Sequence, residues 1–326
     1  MFSVLAILDP YSTPAGLYNF HKDTSHLLLL HLFKRGHRIF YAVPSNLCLN
    51  KKEIECFVTP VEVLVSAPFF SFGESAKVSL KDMNLVLIRK DPPVDKTYLH
   101  MTQLLSSFPT QRPFFINPPQ ALREWNEKLI IFNFPHLIPP TLVTANTQEI
   151  LSFLKDHRGQ VPHDTGGQAV VKPLDEFSGR GVQKLGDSSE KDLMILSSMT
   201  HDGHQPVMVQ AFLKNVAQGE KRIFIFDGKP AGALLKIPPS GSFMANPDRG
   251  AAIKATTLSR REQKTVEEIG IFLKKHKIFF AGIDMIDGFL TEINITSPGL
   301  VHEWNEVDQA HHENELVDLI ERKLKP

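Results

Sequence analysis

The stretch GIDMIDGFLTEINITSP, residues 282–298, decides the fold of the C-terminal part of the chain. Two short runs of alternating apolar and polar residues flank Asp287-Gly288, and this pattern predicts a β-hairpin. Three side chains that carry oxygen atoms stand on this hairpin: Asp284 before the turn, and Glu292 and Asn294 after it.

The length of the turn decides whether these oxygens share a face. With a three-residue loop (287–289), Asp284 lies directly across from Glu292, and Asn294 shares their face. With a two-residue loop, Asp284 points to the opposite face, because a shift of one residue in register turns every side chain over. Two adjacent carboxylates in a half-buried sheet favour a cation, and an all-oxygen set suits Mg²⁺ with a phosphate-bearing substrate. A surface hairpin with solvated acids is the alternative for this stretch alone.

The composition of the 326-residue chain sets limits on its class and partners. Its length predicts roughly two to three domains. Lys plus Arg and Asp plus Glu each number 36, so no excess of charge points to nucleic acid or a membrane as a partner. Cys48 and Cys56 predict reduced thiols rather than a disulfide framework. The first apolar run ends at Asp9-Pro10, too early for a signal peptide or a membrane span, so we expect a cytoplasmic protein.

The histidines show no metal-ligand spacing that a second motif supports, and we assign them no role. Those considered are His26, His31, His204, His302, His311 and His312.

The first 120 residues predict a doubly wound α/β domain. Its expected strands are the apolar runs at residues 2–8, 39–43, 85–88 and 114–116. The charged segment RKDPPVD (89–95) follows the third of these strands. Open α/β sheets bind ligands at the carboxyl ends of their strands, so this segment is a candidate ligand site.

After residue 120 the pattern changes to short strands and hairpin turns. Asn117-Pro118 predicts the start of a helix with the sequence QALREWNEKLIIF (120–132). Ser259-Arg-Arg-Glu262 is a capping box that predicts another helix. The uncapped, Pro- and Gly-rich segment 238–257 predicts a mobile functional loop or a disordered excursion.

Eight segments, in the same order and at compatible distances, resemble those of the bacterial glutathione synthetases, a family of ATP-grasp ligases. They are LDP (8–10), HKDTS (21–25), IRKDPP (88–93), INPPQALREWNEKL (116–129) with its NEKL (126–129), VKPLD (171–175), QGEKR (218–222), KIP (236–238) and GIDMIDGFLTEINITSP (282–298). The resemblance implies an N-terminal α/β substrate domain over residues 1–120. An α+β ATP-grasp fold of two lobes, residues 121–205 and 206–326, is implied to follow.

The resemblance also implies the residues of an active site. For ATP they are Lys128, Lys172, Gly179, Gly181, Gln210, Ala211, Phe212, Leu213 and Glu220. The two lysines are implied to bind the phosphates, residues 210–213 the adenine and Glu220 the ribose. For Mg²⁺ or Mn²⁺ the implied ligands are Asp284, Glu292 and Asn294. The implied catalytic residues are Arg222 and Lys236, and the implied substrate residues are Arg89, Lys90 and Ser297.

The implied reaction joins γ-glutamylcysteine to glycine through an acyl phosphate made from ATP. The implied partners are therefore small molecules, namely a donor peptide, an acceptor amino acid and ATP, and a homo-oligomer is left open. Three places depart from the family pattern. The phosphate loop DEFSGRG (175–181) has Glu176 and Ser178 where glycines are expected, Lys236 replaces one arginine and Met244 a second. These departures leave two alternatives: an ATP-grasp ligase for a different peptide or amino acid pair, and a catalytically weakened nucleotide- or peptide-binding homologue.

Overall fold

The structure, a computed structural model, describes residues 1–13, 16–17, 20–51, 53–107, 113–157, 168–186 and 189–325. The elements of the N-terminal part are β1 (Ser3–Ile7), β2 (Ser12–Thr13), β3 (Gly16–Leu17), α1 (Thr24–Lys34), β4 (Arg38–Ala42), β5 (Leu47–Asn50), β6 (Glu53–Val63), β7 (Phe70–Phe72), β8 (Ala76–Ser79), β9 (Leu85–Ile88), α2 (Lys96–Leu105), β10 (Phe114–Ile116) and α3 (Pro119–Glu124). The elements that follow are β11 (Thr141–Thr144), α4 (Thr147–Asp156), β12 (Ala169–Pro173), β13 (Gln183–Leu185), α5 (Glu190–Thr200), β14 (Val207–Ala211), β15 (Glu220–Phe226), β16 (Lys229–Ile237), β17 (Ala252–Ala255), α6 (Arg260–Lys275), β18 (Phe280–Ile286), β19 (Phe289–Asn294), α7 (Val301–Asp308) and α8 (Glu313–Leu324).

The N-terminal sheet has a parallel part in the order β10-β9-β1-β4. Alternate residues of β1 enter two different core clusters, so this strand is buried on both faces, as its apolar run predicts. The chain leaves β1 on one side to form β4 and returns on the other side to form β9. The ends of β1 and β9 therefore meet at a topological switch point, and the doubly wound prediction is confirmed.

Two further sheets follow, both antiparallel in the residues described. The small sheet has the order β11-β14-β12-β13, and the large sheet has the order β17-β16-β15-β18-β19. Helices α4 and α5 pack against the small sheet around a core of its own. Strand β14 pairs with β11 and β12 of the small sheet, although the predicted division after residue 205 assigns it to the last lobe.

The helix predicted from 120 to 132 is wrong in its second half. Helix α3 ends at Glu124, and a separate 3-10 helix covers Leu129–Asn133. The Asn126 side chain explains the break, because its Oδ1 accepts hydrogen bonds from the backbone N–H groups of Lys128 and Leu129. The break turns Glu127 and Lys128 towards the last strand of the large sheet, where Ile293 N–H donates to Glu127 O.

Two other local predictions have different outcomes. The capping box at Ser259 is confirmed, since its hydroxyl accepts from Glu262 N–H and the Glu262 carboxylate accepts from Ser259 N–H. The segment 238–257 is not irregular throughout, because β17 pairs with β16 near its end.

Asn117 joins the N-terminal sheet to the large sheet. Its side chain is 2% exposed, and its Oδ1 accepts from the N–H groups of Phe279 and Phe280 at 2.8 and 3.0 Å. Its Nδ2 donates to the carbonyls of Phe280 and Ile295, both at 2.6 Å. None of the helices in the described ranges combines the length and apolar character that a membrane crossing requires.

Candidate active site

A cleft of about 580 Å³ lies among the three sheets. Its lining brings together predicted site residues from every part of the chain: Arg89, Lys128, Lys172, Gly179, Gln210, Ala211, Phe212, Leu213, Glu220, Arg222, Lys236, Asp284, Glu292, Asn294 and Ser297. Gly181 and Lys90 do not line it. The Lys90 ammonium instead lies 3.0 Å from Asp9 Oδ1 at the end of β1 and also donates to the Asp91 carbonyl.

The hairpin at 282–298 combines a two-residue turn with a β-bulge. Asp287 and Gly288 both have positive φ, 51° and 77°, and Ile286 pairs with Phe289 directly before and after them. Met285 then pairs with Leu290. Thr291 is an extra residue on β19 with no partner in this ladder, so the following pair joins Asp284 to Glu292. The turn therefore has the length that would separate the carboxylates in a regular hairpin, and the bulge brings them back to one face. Sequence reasoning missed this bulge.

Asp284 lies at the centre of a buried charge cluster. It is 3% exposed, and Arg222 grips both of its oxygens, with Nε–Oδ1 at 2.7 Å and Nη2–Oδ2 at 2.8 Å. Lys236 Nζ donates to Oδ1 at 3.1 Å. Burial acts to raise the pKa of Asp284, but the two cations outweigh it and hold this pKa well below its usual range. Gly282 leaves the room for this pairing, since a Cβ there would lie 3.0 Å from Arg222 Cδ.

Lys236 also lies 3.1 Å from Glu220 Oε2, its partner across the β15–β16 pair. Burial raises the pKa of Glu220, and Lys236 offsets part of that effect. The lysine therefore bridges two acids, Glu220 and Asp284, which belong to neighbouring strands. This is the position at which the family pattern leads us to expect an arginine.

Two lysines that line the cleft make different contacts. Lys128 Nζ lies 3.2 Å from Glu292 Oε1 and donates to the Glu176 carbonyl at 2.6 Å. Lys172 Nζ donates to Gln210 Oε1 at 3.0 Å. Burial lowers the pKa of Lys172, and Glu292 and Glu220 offset part of this effect. Both lysines line the cleft, so their positive charge is available to an anionic ligand.

The phosphate loop (175–181) is in contact with the loop after β16. Gly179 has a φ of 70°, and a Cβ at this residue would lie 2.3 Å from Met244 Cε. Asn246 Nδ2 donates to the Ser178 carbonyl at 2.6 Å. Met244, which replaces an expected arginine, therefore packs directly on the backbone of the phosphate loop.

Arg89 lies where the N-terminal domain meets the end of the hairpin. It is 5% exposed, and it donates to Ser25 Oγ and to the Pro298 carbonyl, both at 3.0 Å. Ser297 Oγ donates to the Lys90 carbonyl at 3.3 Å. The two segments that carry the implied substrate residues are thus hydrogen-bonded to each other.

Glu127 is a site residue for which the sequence analysis proposed no role. One of its oxygens, Oε1, accepts from Ile295 N–H, Thr296 N–H and the Thr296 hydroxyl at 2.6, 2.8 and 2.9 Å. Burial and the nearby Glu292 raise its pKa. The signal that could have found it is the motif NEKL itself, in which Glu127 stands beside Lys128.

The oxygen atoms on the hairpin are suited to a hard divalent cation. Asn294 Nδ2 donates to Asp284 Oδ2 at 3.1 Å and to the Gly282 carbonyl at 3.3 Å. These bonds use the nitrogen of the amide and leave its oxygen, Oδ1, as the atom that could bind a cation. Glu292 supplies a carboxylate whose side chain is 25% exposed. Mg²⁺ takes oxygen ligands of this kind, one or two carboxylates together with substrate phosphates.

Two family models match almost the whole chain. The N-terminal domain of prokaryotic glutathione synthetase matches residues 3–123, and its ATP-grasp domain matches residues 127–309. The chain belongs to the prokaryotic glutathione synthetase family.

Curated relatives of similar length are also glutathione synthetases. The glutathione synthetase of Coxiella burnetii is 34% identical over 299 residues, which are 91% of this chain and 89% of that protein. The glutathione synthetase of Vibrio parahaemolyticus is 31% identical over 327 residues, which are 100% and 99% of the two chains.

Solved structures support the same fold. The D-cycloserine synthetase DcsG matches with a TM-score of 0.65 and 17% identity over 99% of this chain and 100% of its own. The ATP-grasp ligase PsnB, solved with a minimal precursor, matches with a TM-score of 0.61 and 16% identity over 99% and 98% of the two chains. The predicted fold class, a doubly wound N-terminal domain followed by an ATP-grasp fold, is confirmed.

Membership in the glutathione synthetase family makes the protein an ATP-dependent ligase of the glutathione synthetase type. Such ligases act on small molecules together with ATP, and the family depends in general on a divalent metal. This activity takes precedence over the alternatives left open by the sequence.

Proposed function

We propose that this ligase joins γ-glutamylcysteine to glycine and that its reaction runs through an acyl phosphate. The observation that carries the proposal is the buried cluster of Arg222, Lys236 and Asp284 in the cleft of a glutathione synthetase-type chain. It supplies fixed positive charge beside the oxygens that are suited to a metal.

The chemistry follows from the weakness of a carboxylate as an electrophile. The donor carboxylate attacks the γ-phosphorus of ATP, ADP leaves, and the carboxylate oxygen becomes part of a good leaving group. The amine nitrogen then attacks the acyl carbon and inorganic phosphate leaves. Catalysis therefore rests on positioning the reactants and on neutralising phosphoryl charge, which is the task we assign to Arg222, Lys236, Lys128 and Lys172.

We propose Asp284, Glu292 and Asn294 as the residues that hold Mg²⁺ or Mn²⁺ with ATP. When bound, the cation would neutralise negative charge on the phosphates of ATP. Arg222 and Lys236 keep Asp284 ionised, and the bulge at Thr291 keeps Glu292 beside it.

The adenine contact is proposed for the segment 210–213 at the end of β14. The N–H groups of Ala211 and Phe212 already donate to the carbonyls of Pro140 and Gln168 at 2.9 and 3.0 Å. Hydrogen bonds to adenine are therefore left to Leu213 and to the carbonyl groups of this segment. The proposed ribose contact is Glu220, which lines the same cleft.

The experiment that tests the proposed function measures ADP release with MgATP and a panel of donors and amines. We expect release that requires both γ-glutamylcysteine and glycine. Release with another donor and amine, but not with this pair, would support the alternative ligase. MgATP binding without turnover on any pair would support the weakened binding homologue.

Lys236 gives the sharpest test of the mechanism. Lys236→Ala should lower kcat by about 10²-fold or more and change the KM for ATP much less, because its charge acts mainly in the transition state. Lys236→Arg combined with Met244→Arg restores the family pattern and should raise kcat. Lys274→Ala on the exposed face of α6 is the control. An increase in KM with unchanged kcat would contradict the assigned role.

Two predictions from the sequence concern the protein as a whole. A homo-oligomer is tested by size-exclusion chromatography with light scattering. The cytoplasmic location is tested by fractionation of the cells that produce it.

A further inference from the structure

A group of metal-type ligands lies outside the cleft, where the start of α8 meets α1. His31 comes from α1, and His311 and Glu313 come from the start of α8. One ligand atom of each residue lies within 4.8 Å of the ligand atoms of the other two. Among the residues that the structure describes, this is the one group of three His, Cys, Asp or Glu side chains with ligand atoms within that distance. None of these three residues lines the cleft.

The spacing of the ligand atoms is close to that around a tetrahedral ion. His31 Nε2 lies 2.7 Å from Glu313 Oε1, and His311 Nδ1 lies 3.1 Å from the same oxygen. Zinc bonds of about 2.0–2.2 Å place neighbouring ligand atoms roughly 3.3 Å apart. The His311 side chain is 74% exposed, so it can turn to complete such a site.

The second nitrogen of His31 fixes how the ring is protonated. Its Nδ1 lies 3.1 Å from Asn314 Oδ1, and Arg35 Nη2 donates to the same atom at 3.3 Å. Because Arg35 is only a donor, this atom is the amide oxygen, and His31 Nδ1 must donate to it. With Nδ1 carrying the hydrogen of a neutral ring, the lone pair of His31 Nε2 faces Glu313 Oε1. Two lone pairs repel each other at this distance, so a metal ion or a second proton has to lie between the two atoms. Histidines that bind metals are commonly oriented by such a bond from the other ring nitrogen.

Glu313 is held ready as an anionic ligand. It is fully buried, and its Oε2 accepts from Asn305 Nδ2, while Asn305 Oδ1 accepts from His312 N–H. The other oxygen, Oε1, faces the two histidines.

We propose that His31, His311 and Glu313 bind a divalent transition-metal ion, with Zn²⁺ as the ion that fits and water as a further ligand. Two imidazoles and one carboxylate suit Zn²⁺, whereas Mg²⁺ prefers oxygen ligands. The ion joins α1 to the start of α8 and stabilises the contact between the first and last parts of the chain. The sequence gives no motif for this site because its ligands come from opposite ends of the chain.

The test is equilibrium dialysis of the metal-free full chain against ZnCl₂, in the presence of saturating MgATP, with the bound zinc measured by elemental analysis. We expect one Zn²⁺ per chain in the wild type. His311→Ala removes an exposed ligand without disturbing the core, and Asn314→Ala removes the group that orients His31. Each should weaken zinc binding by at least about tenfold.

His136→Ala is the matched control, because His136 is an exposed histidine 3.2 Å from a single carboxylate, Glu268. It should bind zinc as the wild type does. Zn²⁺ should also raise the Tm of the wild type and of His136→Ala, but not that of His311→Ala, and MgCl₂ alone should not reproduce this difference. Absence of zinc binding by the wild type, or equal binding by wild type and His311→Ala, would overturn the proposal and leave His31 and Glu313 as an ordinary hydrogen-bonded pair.

Discussion

In the large sheet, the β15–β16 hairpin turns at Asp227-Gly228 and the β18–β19 hairpin turns at Asp287-Gly288. Both residues of each turn have positive φ, 46° and 76° in the first and 51° and 77° in the second. Each hairpin also carries one extra residue at the same distance from its turn, Ala231 in the first and Thr291 in the second. The two backbones thus follow the same plan. We call the first the packing hairpin and the second the charged hairpin.

The side chains at the pair beyond each bulge are opposite in character. In the packing hairpin the pair is Phe224 and Gly232. Phe224 stacks on Trp304 at 4.5 Å, and a Cβ on Gly232 would lie 2.1 Å from the same ring. In the charged hairpin the pair is Asp284 and Glu292, which face the cleft. At this pair the bulge decides which residues share a face, and the side chains decide whether the position packs or binds. Farther from its turn the packing hairpin carries Glu220, Arg222 and Lys236 of the charge cluster.

Asp284→Asn should have the largest effect, because it leaves two buried cations without the charge that pairs them. We expect kcat to fall by about 10²-fold or more and the free energy of unfolding to fall by about 3 kcal/mol. Steady-state ADP release and urea unfolding measure the two effects.

The matched change in the packing hairpin is Phe224→Leu, which should cost about 1–2 kcal/mol of stability and leave kcat close to the wild-type value. If both variants lose stability and neither loses kcat, the functional contrast between the hairpins is wrong.

The same substitution in both hairpins gives the next test. Gly282→Ala should shift the Arg222 side chain by a few tenths of an ångström while its pairing with Asp284 is kept, and should lower kcat about tenfold with little loss of stability. Gly232→Ala should displace Trp304 and lower the free energy of unfolding by about 1–3 kcal/mol without a matching loss of kcat in the folded protein. Thermal unfolding and kcat are measured on both variants. A loss of stability alone in Gly282→Ala, with a loss of kcat alone in Gly232→Ala, would contradict the comparison.

Glu127→Gln should change how the free energy of unfolding depends on pH, because Glu127 binds the backbone directly after the charged hairpin. The pKa of Glu127 is raised above its ordinary 4.5, so its neutral form stabilises the fold at low pH, and this contribution is lost as pH rises through the raised pKa. Glutamine keeps an oxygen for the three donors and stays neutral. The stability of the variant relative to the wild type should therefore increase from about pH 4.5 upwards and then level off.

Urea unfolding over a series of pH values measures this difference. Glu149→Gln, on the exposed first turn of α4, serves as the control for a solvated carboxylate. A difference for Glu127→Gln that decreases as pH rises would show that the sign is wrong.

Thr291→Val should have the smallest effect. It removes the hydroxyl that donates to the Asp284 carbonyl at 3.1 Å but keeps a β-branched residue in the bulge. We expect a loss of about 1 kcal/mol in the free energy of unfolding and nearly unchanged kcat. A large loss of kcat would mean that the hydroxyl, and not only the extra residue, positions Asp284.

The features that the sequence predicted depend on neighbours along the chain. Alternation and the pair Asp287-Gly288 located the hairpin at 282–298, and the apolar run of β1 indicated a strand buried on both faces. The capping box at Ser259 is likewise complete within four residues. The candidate site was located by the resemblance of its motifs, and the roles of its residues stay predictions.

The features that the sequence did not predict depend on contacts between distant residues. The bulge at Thr291 adds one residue without a residue type that marks it. The break after Glu124 reflects the Asn126 side chain and the position of Glu127 against the end of β19. Lys90 was predicted to face substrate, but Asp9, at the end of a neighbouring strand, is its partner. No pattern in one segment contains this information.

The packing of α8 against α1 has a consequence for the synthesis of the protein. Arg35 and Asp318, which form an ion pair at this contact, are 283 residues apart, and buried residues of both helices share one core cluster. At 5–20 residues per second, a ribosome needs roughly 15–60 s to add that length of chain. During this time the apolar face of α1 has no α8 to cover it. The nascent first domain therefore exposes this apolar face until α8 is made, and an exposed apolar face favours aggregation during translation.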